Sequence, residues 1–165
     1  MKTGDIWVTD PATLRDVVLD RGAVHALLGD CTPLEQVWIL SLLGRDEEAV
    51  AAGLALLAAS PDRLRPLLVL AKTYQRQYRW HDAARLQEGA LRLTRTPAAE
   101  ALVRHHIGRR LFDEARYRDA AAEFEWAQDL YRAAGRERLA RDSARAMDRA
   151  REVYAQAAFP DGQQV

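Results

Sequence analysis

Catalysis needs titratable or nucleophilic side chains at relay or ligand spacing, so the first residues to weigh are the four histidines, the single cysteine and the acidic runs. His105 and His106 are adjacent. Successive residues on a helix point about 100° apart, so the two rings cannot face one metal. His25 and His81 stand alone and read as surface or packing residues. Asp46, Glu47 and Glu48 form the densest acidic cluster, but the first turn of a helix attracts such charges through its dipole. Cys31 has no internal partner, which suits a reducing compartment, and it reads as a helix-start residue. No phosphate-cradling glycine loop, nucleophile elbow or dinucleotide fingerprint occurs. The expectation is a protein that is not an enzyme, with no metal and no cofactor.

Binding chemistry is better represented. The net charge is +0, yet residues 1–60 carry four Lys/Arg against nine Asp/Glu, while residues 61–165 carry twenty against fifteen. That polarity can steer an acidic partner toward the carboxy-terminal part. Acidic residues interrupt the basic ones, which argues against a phosphate-tracking stripe and against a nucleic-acid partner. Charged residues also interrupt every apolar stretch before the ~18 residues of a membrane span. The amino terminus lacks the order of a secretory signal. A cytoplasmic protein without a membrane partner is expected, and at 165 residues it can build one sizeable core.

The elements that would carry these residues are helices. Asp10-Pro11, Thr32-Pro33, Ser60-Pro61 and Thr96-Pro97 each put a capping side chain before a proline, and each is read as a helix start. Thr32 with Glu35 forms a capping-box pattern. Gly44 is read as a helix end. Helices are predicted at 11–28 (with a candidate break at Gly22), 33–43, 46–59, 63–77, 80–94, 97–114, 117–133 and 136–157. Residues 1–9 and 159–165 are expected to be irregular, the latter a disordered tail. Apolar residues recur at three- and four-residue steps, as in Leu67, Leu70, Ala71 and Tyr74, and no window alternates as a strand would.

A repeat organises the helices. Gly44-Arg45-Asp46-Glu47-Glu48-Ala49 aligns with Tyr78-Arg79-Trp80-His81-Asp82-Ala83 at an offset of 34 residues. Ala115-Arg116-Tyr117-Arg118-Asp119-Ala120 aligns as a third unit, after extra residues placed in the linker around 94–100. Hairpins of this kind cannot bury their apolar faces singly and must stack. The pattern resembles the tetratricopeptide repeat family. The first-helix signature appears as Leu70, Ala71, Tyr74 and as Ile107, Gly108, Leu111; the second-helix signature appears as Ala120, Phe124, Ala127; Pro61 matches the closing proline. Val37, Gly53 and Gln87 depart from it.

The resemblance implies an all-α, right-handed superhelix of antiparallel helical hairpins. Its parts would be a leader and helix at 1–29, three hairpins at 30–134 and a capping helix at 135–158. It also implies a concave face lined by the first helix of each hairpin. Carried onto this chain, the groove residues are Leu34, Trp38, Arg65, Leu68, Lys72, Gln75, Arg76, Leu102, His105, Arg109 and Phe112. Ser41 joins them, and Arg138, Arg141, Arg145 and Arg149 follow if the last helix continues the pattern. The implied function is an adaptor or scaffold that binds a protein or peptide, acidic and with an apolar anchor. The other reading of these arginines is a solvated helix face.

Members that clamp acidic chaperone tails use Lys, Asn and Arg where this chain has Leu34, Trp38, Val69, Leu102 and His106, so that subclass is rejected. A looser resemblance is to the chaperones of type III secretion translocators, which share the leading helix, three repeats and closing helix. A further alternative is a self-associating structural module forming a homodimer. Among the tryptophans, Trp80 and Trp126 read as structural and Trp38 as the binding candidate. Trp7 either folds back onto an apolar surface or stays an exposed anchor.

Overall fold

A computed structural model describes residues 6–159; the expectations for residues 1–5 and 160–165 lie outside that range. The described chain is mostly helical, and within each of two compact units neighbouring helices pack on one another. The helices are α1 (Arg21–Ala26), α2 (Pro33–Leu42), α3 (Asp46–Ala59), α4 (Leu64–Arg76), α5 (Trp80–Leu93), α6 (Pro97–Asp113), α7 (Tyr117–Ala133) and α8 (Glu137–Ala158). From α2 onward each boundary lies within a residue or so of the expected one.

Local chemistry sets those boundaries. Thr32 accepts from the Glu35 N–H while the Glu35 carboxylate accepts from the Thr32 N–H, which completes the capping box. Thr96 caps α6 through the Ala99 N–H at 3.2 Å. The other two dipeptides do not start helices. Ser60 is extended (ψ 125°) and ends α3, because the residue before proline avoids the helical region; α4 begins only at Leu64, whose N–H meets the Asp62 carboxylate.

One turn recurs at four helix ends. At Gly44 a pair of bonds, Gly44 N–H to the Ser41 carbonyl and Arg45 N–H to the Leu40 carbonyl, closes α2. The same pair recurs at Tyr78, Ala115 and Gly135, and all four residues have φ between 59° and 72°. These are left-handed helix caps of the Schellman type. Glycine takes that conformation freely at Gly44 and Gly135, whereas Tyr78 and Ala115 carry a steric cost of about 1–2 kcal/mol. The next residue is arginine each time, and Arg45, Arg79 and Arg116 pair with Glu48, Asp82 and Asp119 in the first turn of the following helix. The first three turns are thus the same device, spaced 34 and then 37 residues apart. The extra residues do not lie in the linker. They lengthen α6, which has 17 residues where α4 has 13, because Thr96-Pro97 starts it a turn earlier.

Packing between paired helices follows complementary volumes. In the third pair, a Cβ on Gly108 would stand 2.7 Å from the Phe124 ring. The second pair has Ala71 and Gln87 at the corresponding places, and both are buried. In the first pair the bulk is reversed: Val37 is large, and Gly53 leaves room that Leu70 and Val37 fill. The departures from the repeat pattern are therefore mutual adjustments in a close-packed interior.

The chain divides into two compact units. Among the described residues, the first comprises 6–10 together with Arg15–Thr94; its cores centre on Ile6, Val24, Ile39 and Leu42 and on Leu70, Tyr74 and Ala83. The second comprises Pro11–Leu14 and 95–159, around Leu14, Leu111, Phe112, Phe124 and Met147 and around Ala101, Tyr131 and Ala140.

The leader departs most from expectation. Residues 11–18 are not helical, and two three-residue strands, β1 (Trp7–Thr9) and β2 (Asp16–Val18), pair antiparallel. Asp10 does not cap a helix; its N–H donates to the Arg15 carbonyl and closes the connection between the strands. The helix is deferred to Arg21, where Asp20 accepts from the Ala23 N–H. Val8, Val17 and Val18 suit extended backbone, but runs of three are too short to alternate visibly. Trp7 folds back and is partly buried against the Ile6 cluster.

Candidate functional site

In the first unit the side chains of interest come from α2, α4 and the β hairpin. Lys72 and Arg76 are one turn apart on α4 and so share a face. The Lys72 ammonium lies 3.6 Å from the centroid of the Trp38 ring, and the Arg76 guanidinium carbon lies 5.7 Å from it. Both distances fall within cation–π range. The same two cations hold the leader. Lys72 Nζ is 2.6 Å from Asp16 Oδ2, and Arg76 Nη1 donates to the Asp16 backbone carbonyl at 3.0 Å. The Thr9 hydroxyl donates to the other carboxylate oxygen at 2.6 Å.

The Asp16 side chain is only 5% exposed and Lys72 21%, so this pair is far better shielded than a surface ion pair. A buried charge is tolerated only when paired and hydrogen-bonded, and here both carboxylate oxygens and the adjoining carbonyl have donors. The arrangement recognises one acidic residue in extended backbone through its charge and its main chain together. Next along the leader, Arg15 lies 4.6 Å over the Tyr78 ring and donates to Tyr78 Oη at 2.9 Å.

In the second unit α6 grips the leader by backbone. Arg109 donates from Nε and Nη2 to the Leu14 carbonyl at 2.9 and 2.5 Å. The Leu14 side chain is buried in the cluster that contains Phe112, and its φ is 56°. Arg149 on α8 donates to the Ala12 carbonyl at 3.0 Å. His105 Nδ1 lies 2.9 Å from Ser143 Oγ, with its ring 5.3 Å from Phe124.

The remaining candidates divide by exposure. Leu34 and Leu102 are half-buried and Arg65 is exposed. Leu68, Gln75 and Phe112 are buried, so in this structure they support the helix faces rather than present themselves to a ligand; Ser41 is buried as well. Arg138, Arg141 and Arg145 are exposed, and Arg138 and Arg145 both meet Asp142 on their own helix. Trp126 is half-exposed with the Arg104 guanidinium 3.3 Å over its ring, and Trp80 meets Tyr78 edge-on. His105 and His106 lie with ring centroids 6.4 Å apart and planes perpendicular. Among the described residues no group of three His, Cys, Asp or Glu is placed to hold a metal ion.

Sequence reasoning missed the counterparts of the cations: Asp16, Thr9 and the carbonyls of Leu14 and Ala12. Asp16 sits in Leu-Arg-Asp-Val-Val-Leu-Asp, where nothing local marks one aspartate as buried. A carboxylate followed directly by two β-branched residues, Val17 and Val18, was the available signal. Comparison with family models finds no match, and curated proteins and solved structures likewise return none.

Proposed function

We propose that this chain is a tetratricopeptide-like, non-enzymatic protein-interaction module, and that its ligand is an extended peptide bearing a carboxylate beside apolar side chains. One observation carries the reading. The cations singled out for an acidic ligand, Lys72 and Arg76, both lie near the face of the Trp38 ring and meet one extended acidic residue of the same chain, Lys72 through the Asp16 carboxylate and Arg76 through its backbone carbonyl. In the other unit Arg109 holds a backbone carbonyl, which is how a side-chain-independent peptide handle works. The recurring left-handed turns and the Val37/Gly53, Ala71/Gln87 and Gly108/Phe124 adjustments support the repeat architecture behind the proposal.

The test uses synthetic extended peptides that contain Asp or Glu, each with its Asn or Gln counterpart. Trp38→Ala should weaken binding of the acidic peptides at every salt concentration, because it removes ring area and the cation–π contact. Arg76→Glu should chiefly slow association, and its effect should shrink as salt is added. Thermal melts establish that both variants are folded. Equal binding by wild type and both folded variants would assign the ligand to some other surface.

A further inference from the structure

We infer that β2 is a resident stand-in for the ligand, and that the partner is an acidic strand that replaces Asp16–Val18 beside β1. This rests on the reading of the α2 and α4 face as the peptide site, and it adds the ligand's backbone form, its register and the competitor it must displace.

Two observations single out β2, its exposure and the backbone that leads into it. Asp16 is its one buried side chain; Val17 is 42% exposed and Val18 half-buried. Val8, the cross-strand partner of Val17, is 39% exposed, and Leu19 just beyond is 59% exposed. The hairpin thus turns an apolar surface outward, with three residue pairs joining its strands. Ile6, just before β1, is buried in the core formed with Val24, Ile39 and Leu42, and Trp7 of β1 and Val18 of β2 both pack against the edge of that core. Finally, Leu14, two residues before Asp16, holds a φ of 56°, a conformation that costs an L-residue energy and is kept only by surrounding contacts. A short strand with few buried groups and a strained approach belongs to the low-stability end of a structure.

Such a strand can be exchanged. A partner segment pairing with β1 would reproduce the main-chain bonds, as strand addition does, and would place its own carboxylate between Lys72 and Thr9. The β-branched residues at Val17 and Val18 give the flanking preference. Because the face is filled in the resting chain, apparent affinity is reduced by the fraction of molecules in which β2 is released.

The experiment keeps the full chain and uses as probe a labelled synthetic peptide of residues 12–20, with a second peptide in which the aspartate corresponding to Asp16 is asparagine. Two protein variants are compared with wild type. Asp16→Asn removes the resident charge and leaves Lys72 and Trp38 in place; Lys72→Gln loosens β2 from the other side and removes the cation. In Asp16→Asn, hydrogen exchange at the β2 and Leu19 amides should quicken by about tenfold while the helical amides hold. The acidic probe should then bind at least about tenfold more tightly than to wild type. Lys72→Gln should show the faster exchange without the gain in binding, and the asparagine probe should gain nothing with any variant. Unchanged exchange in Asp16→Asn would overturn the inference and make β2 a fixed structural strand. If wild type binds the acidic peptide panel while its β2 amides stay protected, the peptide-binding reading stands and strand replacement falls. If β2 opens and the exposed face takes neither probe nor panel, both fall.

Discussion

Ala115 holds a φ of 59° with an exposed methyl group that makes no compensating burial. Glycine there would remove the left-handed penalty, partly offset by greater freedom in the unfolded chain, for a net gain of about 0.5–1 kcal/mol. Ala115→Gly should therefore raise the thermal midpoint by a few degrees, and Gly135→Ala should lower it; a fall for Ala115→Gly would show that the turn is not strained. Gly108 makes the opposite case, since any side chain meets the Phe124 ring, and Ala83 and Ala120 are fully buried. Leucine at any of the three should overpack and cost about 1–3 kcal/mol, read as a lowered melting midpoint. Glu35 adds a pH dependence. The Thr32 backbone N–H and then its hydroxyl hold the Glu35 carboxyl below its ordinary value of 4.5. A depressed acid contributes its full stability above the unfolded value and loses it as pH falls through the folded one. Replacing Glu35 with Gln should flatten that part of the acid-unfolding curve, and an unchanged curve would refute the contribution. These small residues and caps were legible because they act through local geometry; the positive φ at Tyr78 and Ala115 was not, since neither side chain announces it.

At the scale of elements, the helices from α2 to α8 followed from caps and periodicity, and the leader did not. Thr32-Pro33 and Thr96-Pro97 act as read, so Thr32→Ala and Thr96→Ala should each cost about 1 kcal/mol in chemical denaturation; no change in either would mean that the cap bonds add nothing net. Asp10-Pro11 has the same local form and a different outcome. There the chain gains more from burying Leu14 and pairing Asp16 with Lys72 than from winding a helix through Val17 and Val18. That choice depends on residues more than fifty positions away and leaves no trace in a short window. The same reasoning explains the site: the groove positions implied by the repeat resemblance named Lys72 and Arg76, while Asp16, the residue they hold, was hidden in a segment read as helix.

For the molecule as a whole, the sequence divides charge between an acidic first part and a basic remainder, and the structure divides the chain into two compact units. No described helix is long and apolar enough to cross a membrane. In each unit a cation on a helix face captures the leader, Lys72 and Arg76 through Asp16 in one and Arg109 through Leu14 in the other. The central claim is that the Trp38–Lys72–Arg76 face is built to take an acidic extended segment. The most direct measurement follows the indole N–H resonance of Trp38, assigned by its loss in Trp38→Phe, during titration with one extended peptide in its aspartate and asparagine forms. The account predicts a saturable shift of that resonance with the aspartate form, little with the asparagine form, and a response that weakens as salt is raised. Equal shifts with both peptides, or a response at Trp126 with Trp38 unmoved, would contradict it.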